Sequence, residues 1–148
     1  MGHTNGIIYL TAIDNVWALD ARSNKGYWST AAPIVVGSHV IVGIGGDSDN
    51  IQGFLKSMDA HTGALQWRWD STPPGGTPKA TTGGMTWIPG TYDPELNLLY
   101  WGTGNPTPVL NGDVRPGDDL FTCSIVALNW TQAQRCLPGP SLRVEVQP

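Results

Sequence analysis

The sequence has 148 residues, of which 40% are apolar and 14% charged, and its formal net charge is −4. This length suits one ordinary domain with its own core, and no apolar run approaches the roughly 20 residues of a membrane-spanning helix. The acidic balance predicts no nucleic-acid partner, because proteins that bind phosphate backbones neutralise them with clustered lysine and arginine. The opening stretch MGHTNGIIYLTAIDN has no basic segment before an apolar core, so no signal peptide is visible.

Short apolar runs follow one another along the chain, and most of them are too short for helices. They are rich in Val, Ile, Tyr and Trp and are bounded by Gly, Asn, Asp or Pro, a pattern typical of β-strands. The 19 glycines and 12 prolines indicate many turns. We therefore predict an all-β chain with strands in IIYLTAI (7–13), VWALDA (16–21), PIVVGSHVIVGI (33–44), GFLKSMDA (53–60), ALQWRW (64–69), NLLYWGTG (97–104) and CSIVALN (123–129).

A hairpin pattern is repeated along the chain. It occurs in WALDARSNKGYW (17–28), in SMDAHTGALQWRW (57–69) and, more faintly, in VALNWTQA (126–133). In such a hairpin Asp59 would accept hydrogen bonds from the turn backbone, Gly63 would take a positive φ, and Trp67 would pack flat on a neighbouring sheet. Repeats of about 40 residues per four-stranded unit are typical of propeller blades. Two unrelated hairpins in a sandwich are the alternative.

The two cysteines do not suggest a metal or redox site. Cys123 and Cys136 are neither adjacent nor in C-x-x-C spacing, so neither a zinc site nor a redox motif is supported. A structural disulfide between them and two free thiols both remain open.

Three stretches resemble the pyrroloquinoline quinone (PQQ) dehydrogenases, quinoproteins that oxidise alcohols or sugars in the periplasm on an eight-bladed propeller. They are the tryptophan-docking hairpin SMDAHTGALQW (57–67), GGMTWIPGTYDPELNLLYWGTGNP (83–106) and RPGDDLFTCSIVALN (115–129). The resemblance covers most of residues 1–129. It implies a partial β-propeller, and at about 40–45 residues per blade the chain would supply about three four-stranded blades with tryptophan-docking motifs.

The resemblance also implies two ligands, PQQ and a cation that is either Ca²⁺ or a lanthanide. Trp87 matches the tryptophan that stacks on the flat PQQ ring, for which indole offers a large π-face. Asn105 matches an asparagine whose side-chain oxygen ligates the cation, and oxygen ligands suit a hard cation that polarises the quinone carbonyl. Gly102 and Gly104 are expected to let the backbone turn tightly beneath the cofactor.

A further segment, YWSTAAPIVVGSHVIVGIGGDSDN (27–50), resembles the family stretch that contributes a hydroxyl and a carboxylate. Thr30 falls on the hydroxyl position that contacts a PQQ carboxylate, and Gly46 would lie beside the cofactor. Serine stands where the best-known members have a metal-ligating glutamate, so the flanking Asp49 or Asp47 would supply the carboxylate, with Asp49 favoured. The alternative is that these residues only form a glycine-rich turn.

The family's catalytic groups have no counterpart in the sequence. The adjacent cysteine pair that roofs PQQ is missing, and the general base lies beyond the stretch that resembles the family. Asp93, Asp118 and Asp119 are candidates for a base by residue type only, and the patterns YDPELN and RPGDD favour turns. The catalytic residues therefore stay unassigned, and whether this chain is an enzyme by itself stays open.

The predicted organisation is a propeller-like part, residues 1–129, followed by a non-matching tail, residues 130–148. WALDARS gives way abruptly to NKGYW, which indicates an internal deletion near residues 23–24. An incomplete propeller leaves open strand edges and apolar faces, which predicts self-association or a partner chain. We expect a truncated PQQ- and metal-dependent dehydrogenase for alcohols or sugars that is inactive alone. The alternative is a non-catalytic propeller scaffold, which would lack the Trp87 and Asn105 motifs.

Overall fold

The computed structural model describes residues 2–4, 7–12, 15–20, 32–45, 51–72, 82–115, 117, 119, 121–131 and 134–135. Within these residues the chain forms thirteen β-strands and one 3₁₀ turn, Gly112–Val114, and no α-helix. The all-β prediction is confirmed. The described part of the chain has no helix that is long and apolar enough to cross a membrane.

Three antiparallel sheets follow one another along the chain. The first sheet contains β1 (Gly2–Thr4), β2 (Ile7–Ala12) and β3 (Asn15–Asp20) in that order. The second sheet is the meander β4 (Ile34–Val36), β5 (His39–Gly43), β6 (Phe54–Asp59) and β7 (Leu65–Asp70). The third sheet has β9 (Thr91–Asp93), β10 (Leu98–Gly102), β12 (Ile125–Asn129) and β13 (Gln134–Arg135), in the order β13-β12-β10-β9. A two-stranded ribbon pairs β8 (Thr82–Gly83) with β11 (Pro106–Thr107).

The hairpin between β6 and β7 has the turn chemistry that its sequence predicts. The Asp59 Oδ1 atom accepts hydrogen bonds from the backbone N–H groups of His61 at 2.9 Å and Thr62 at 2.8 Å. Gly63 follows with a φ of +72°, a conformation that glycine adopts without steric cost. The carboxylate and the glycine thus fix a tight turn that brings the two strands into register.

The hydrophobic core follows from the alternation of apolar residues along β10 and β12. Leu99 and Trp101 point to the same side of β10, and each lies opposite a buried residue of β12, Leu128 and Val126 respectively. Because side chains alternate along a strand with a period of two residues, all four lie on one face of the sheet. They pack in one cluster with residues of the second sheet and of the loop before β12, which are Ile41, Leu55, Trp67 and Phe121.

Trp130 joins the second and third sheets. Its carbonyl accepts a hydrogen bond from the Trp67 indole N–H at 2.7 Å, and its own indole N–H donates to the Asn97 Oδ1 atom at 2.6 Å. The ring of His39 lies edge-on to it, with 4.7 Å between ring centroids, and that of Tyr92 lies at 6.1 Å. We call this arrangement the Trp130 seam.

The acid stability of the Trp130 seam is expected to depend on His39. Burial lowers the pKa of His39 below its ordinary value of 6.5, and the facing Asp59 carboxylate opposes that shift. The unfolded chain therefore binds this proton at higher pH than the folded chain, and stability falls as pH drops below about 6.5. His39→Gln is expected to reduce the loss of thermal stability between about pH 7 and 5.

The control for this change is His61→Gln, which replaces an exposed histidine of the β6–β7 turn. It is expected to keep the acid-induced loss of the original chain over that range. The pKa of Asp59 is also lowered, by hydrogen bonds from the backbone N–H groups of Thr62 and His61 and from the Thr62 hydroxyl. The stability that the Asp59 carboxylate contributes is lost only as the pH falls below 3.8. Equal acid sensitivity of the two variants would contradict the role of His39.

The predicted organisation is only partly covered by the described residues. The strand β13 continues the third sheet past residue 129, and residues 136–148, most of the predicted tail, lie outside the described part. The predicted deletion near residues 23–24 also lies outside it. Both stay predictions.

Candidate cofactor and metal site

The two segments that carry the main predicted site residues lie side by side. The antiparallel pairing of β8 with β11 begins the contact. Beyond these strands Gly84 N–H donates to the carbonyl of Asn105, and Gly104 N–H donates to the carbonyl of Met85, both at 2.8 Å. The segment that continues into Trp87 is therefore fastened by its backbone to the segment that carries Asn105.

The close approach of these segments depends on Gly83 and Gly84. Their φ angles are +92° and +65°, and a Cβ atom at Gly83 would lie 2.4 Å from the carbonyl oxygen of Asn105. Neither Gly102 nor Gly104, the glycines expected to make the tight turn, has a positive φ. Gly102 ends the regular strand β10 with open space around it, so the turning backbone belongs to the partner segment.

Trp87 presents an indole that the described residues leave largely uncovered. Its exposed fraction is 54%, against 1% for Trp101 in the core. Trp87 directly follows Thr86, which is fully buried and whose carbonyl accepts a hydrogen bond from the Trp101 indole N–H at 3.1 Å. A large aromatic side chain on a buried, bonded base is suited to stacking on a flat ligand.

Asn105 is also exposed, and its amide oxygen has a neighbour that the sequence did not predict. The Cys123 thiol donates to the Asn105 Oδ1 atom at 3.3 Å. Cys123 reaches this position because its N–H donates to the carbonyl of Gly104 at 2.8 Å and its φ is +46°. In the described part Cys123 is a free, exposed thiol, whereas Cys136 lies outside it. No sequence pattern pointed to this pairing, because it forms across the loop from β11 to β12.

Arg115 holds that loop together. Its Nη1 atom lies 2.6 Å from the Asp119 Oδ2 atom, and its Nε–H donates to the carbonyl of Pro108 at 3.1 Å. The arginine side chain is only 8% exposed, and a partly buried ion pair that is supported by hydrogen bonds to backbone carbonyls orders a loop more firmly than a surface ion pair does. Asp119 is thus engaged in the structure of the loop that ends at Cys123.

The other candidates for a general base do not form a catalytic arrangement in the described residues. The Asp93 Oδ1 atom accepts hydrogen bonds from the N–H groups of Glu95 at 2.9 Å and Leu96 at 3.0 Å, as a turn carboxylate does. Asp118 lies outside the described residues. A base therefore stays unassigned.

The segment with the predicted carboxylate donors is anchored on both flanks to the same site. On one flank, Thr86 N–H donates to the carbonyl of Ile44 at 2.9 Å. On the other flank, Gly83 N–H donates to the carbonyl of Ile51 at 2.8 Å. Four predicted site residues lie outside the described part, namely Thr30, Gly46, Asp47 and Asp49.

The described residues fit a cofactor and a cation in part. They supply an open indole face and an exposed amide oxygen on two fastened segments. Within the same residues no group of three or more His, Cys, Asp or Glu side chains could hold a metal ion. A complete oxygen shell, which hard cations require, would therefore need further groups such as those of residues 46–50.

The family of the chain follows from its match to known proteins. Residues 4–135 match the β-propeller domain of the PQQ-dependent glucose, ethanol and alcohol dehydrogenases. The chain belongs to this PQQ dehydrogenase family. The resemblance inferred from the docking hairpin and from the Trp87 and Asn105 motifs is confirmed, and the all-β sheets correspond to a portion of the family's propeller.

Individual relatives show how similar the chain is to members of this family and how much of their length it covers. The chain is 36% identical to quinohemoprotein alcohol dehydrogenase ADH IIB of Pseudomonas putida, which it covers over 23% of that protein and 82% of itself. The solved quinohemoprotein alcohol dehydrogenase of Comamonas testosteroni is similar with a TM-score of 0.74 at 30% identity, over 88% of this chain and 25% of the other. A europium-containing methanol dehydrogenase gives 0.76 at 28% identity, over 90% and 30%. The chain thus spans about a quarter of the length of these relatives.

Proposed function

We propose that this chain provides the floor and part of the cation shell of a PQQ site. Trp87 stacks on one face of the cofactor, and the Asn105 amide oxygen ligates a Ca²⁺ or lanthanide ion at its edge. The observation that carries the proposal is the backbone pairing that fastens the exposed Trp87 segment to the exposed Asn105. A europium-containing relative of the same fold supports a trivalent ion as one occupant of this kind of site.

Residues 46–50 complete the proposed site. On either side of them, the carbonyls of Ile44 and Ile51 accept hydrogen bonds from the N–H groups of Thr86 and Gly83, which belong to the segment that leads to Trp87. This anchoring supports Asp49, or alternatively Asp47, as the carboxylate ligand, with Gly46 beside the cofactor. By family resemblance, the Thr30 hydroxyl contacts a PQQ carboxylate.

The sheets of the chain are proposed to be about three propeller blades. The second and third sheets each have four antiparallel strands, and the first described sheet has three, which is consistent with blades of four strands. The Trp67 indole, which donates to the carbonyl of Trp130 across the Trp130 seam, is then the docking tryptophan between two of them. A periplasmic location is proposed from the family resemblance.

The chemistry of the proposed site is divided between cofactor and protein. When bound, PQQ accepts the hydride that an alcohol or sugar loses on oxidation. Trp87 would orient the ring and exclude water from one face, and Asn105 would hold the cation. Because Asp93 and Asp119 are engaged in turns, we propose that the 148-residue chain binds the cofactor without turning over substrate, and that a partner chain or a second copy would have to supply a base.

Titration of the chain with PQQ, with and without Ca²⁺ or La³⁺, tests the proposal through tryptophan fluorescence. We expect saturable quenching that requires the cation. Trp87→Ala is expected to weaken binding at least about tenfold, because stacking on a large aromatic face is lost. In Asn105→Ala, addition of the cation is expected no longer to strengthen PQQ binding. Dye reduction with an alcohol substrate is expected to stay at background.

Two exposed residues provide matched controls. Asn111→Ala removes another exposed asparagine, from the loop between β11 and β12, and Leu96→Ala removes an exposed apolar side chain from the turn before β10. Both variants should bind PQQ like the original chain. Absence of specific quenching in a chain shown to be folded by circular dichroism would contradict the proposal and favour a non-catalytic propeller scaffold.

A further inference from the structure

Thr86, the residue before Trp87, uses all its polar groups to connect two sheets. Its hydroxyl accepts a hydrogen bond from the N–H of Ile44 at 2.9 Å and donates to the carbonyl of Phe54 at 2.6 Å. Its own N–H donates to the carbonyl of Ile44 at 2.9 Å, and its carbonyl accepts from the indole N–H of Trp101 at 3.1 Å. Ile44 and Phe54 border strands of the second sheet, whereas Trp101 belongs to the third.

The surroundings of Thr86 allow almost no displacement. The residue is 0% exposed. A Cβ atom at the facing Gly43 would lie 1.9 Å from the Thr86 carbonyl oxygen and 2.7 Å from its hydroxyl oxygen, so the backbone of β5 contacts it directly. A buried hydroxyl that both donates and accepts is costly to remove, because the N–H of Ile44 and the carbonyl of Phe54 would lose their partner.

We propose that Thr86 is a positioning residue that fixes the orientation of Trp87. The bonds of Thr86 hold the backbone next to Trp87 in place from both sheets, so the direction in which the exposed indole leaves the surface is set by the junction of the second and third sheets. The residue contributes no contact to a ligand of its own. That the ligand of the oriented indole is PQQ rests on the proposed function, whereas the orientation itself does not.

The test uses the full chain labelled with 5-fluorotryptophan, in which Trp87→Phe identifies the ¹⁹F resonance of Trp87. Thr86→Val keeps the shape of the side chain and removes the hydroxyl. It is expected to shift or broaden the Trp87 resonance and to weaken PQQ binding at least about tenfold, in line with the loss of buried hydrogen bonds. Thr86→Ser, which keeps the hydroxyl, is expected to retain both the resonance and the affinity.

Ser57→Ala is the matched control. The Ser57 hydroxyl is equally buried, donates to the Gln66 Oε1 atom at 2.8 Å and lies 2.7 Å from the His39 Nδ1 atom. Its removal should lower the thermal midpoint and leave the Trp87 resonance unchanged. If Thr86→Val does not fold, Trp101→Phe provides a second variant. It leaves the Thr86 hydroxyl in place, removes the N–H donor to the Thr86 carbonyl together with part of the buried ring, and is expected to move the same resonance.

The outcomes separate the two proposals. A Trp87 resonance that is unchanged in folded Thr86→Val, or in Trp101→Phe where Thr86→Val does not fold, would overturn the positioning role. A resonance that moves as strongly in Ser57→Ala would also overturn it. A resonance that moves in Thr86→Val and Trp101→Phe but not in Thr86→Ser or Ser57→Ala, in a chain that does not bind PQQ, would support the positioning role and contradict the proposed function.

Discussion

Truncation of Trp101 to alanine is expected to lower the free energy of unfolding by about 3–5 kcal/mol, the usual cost of removing a buried tryptophan. Trp101 is among the largest fully buried side chains of the described core. A Cβ atom at Gly90 would lie 2.5 Å from its ring, which shows how closely the backbone packs against it. The change would leave a cavity and would also deprive the Thr86 carbonyl of its donor. Urea denaturation followed by far-ultraviolet circular dichroism measures the loss.

The matched control is Leu110→Ala, because Leu110 is 99% exposed and surface truncations usually change stability by less than about 0.5 kcal/mol. Since the free energy of unfolding of typical domains is only about 5–15 kcal/mol in total, Trp101→Ala is expected to remove a large fraction of it. A loss below about 1 kcal/mol would show that the core does not depend on this side chain.

Replacement of Gly83 by alanine is expected to produce the second large loss. Alanine at a positive φ costs about 1–2 kcal/mol, and here the new Cβ atom would lie 2.4 Å from the Asn105 carbonyl oxygen and 2.9 Å from the Thr107 nitrogen. Relief of that overlap requires a backbone shift worth about 1–3 kcal/mol more. The shift would separate β8 from β11 and displace Asn105, so cation-dependent PQQ binding should be lost together with stability.

Two other glycines separate the strain from the overlap. Gly63 has a φ of +72° and no atom within 4 Å of a built Cβ, so Gly63→Ala isolates the backbone strain. Gly102 has neither a positive φ nor a close neighbour, so Gly102→Ala is expected to be nearly neutral. The urea midpoint should therefore be highest for Gly102→Ala, lower for Gly63→Ala and lowest for Gly83→Ala. A Gly83 variant as stable as the Gly63 variant would contradict the close packing of the two site segments.

Much of the strand order could be predicted because it depends on local patterns. The alternation in LLYW and IVAL placed β10 and β12, and the Asp59 and Gly63 pair marked the hairpin after β6. The run PIVVGSHVIVGI was predicted as one strand region, whereas the structure breaks it into β4 and β5. Strands of two or three residues, such as β8 and β11, were not predicted because so few residues carry no measurable periodicity.

The site could be predicted only where a long motif existed. Trp87 and Asn105 came from the family resemblance, and the structure places both on the surface of adjoining segments. Thr86 was not identified, because the residue whose N–H it binds, Ile44, lies 42 positions away along the chain. The contact between Cys123 and Asn105 spans 18 positions. Such contacts depend on how the sheets pack against each other, and local sequence patterns do not contain that information.

The Trp130 seam also determines when the second sheet becomes covered during biosynthesis. The hydrogen bond from Trp67 to Trp130 spans 63 residues, whereas neighbouring strands of β4–β7 are separated by at most ten residues of sequence. Hairpins form in about 1–10 μs, but a ribosome needs roughly 3–13 s to add 63 residues at about 5–20 per second. For those seconds Ile41, Leu55 and Trp67 can form one face of a finished sheet whose covering strands have yet to be synthesised. Chaperone capture or aggregation of the nascent chain would compete with folding in that interval.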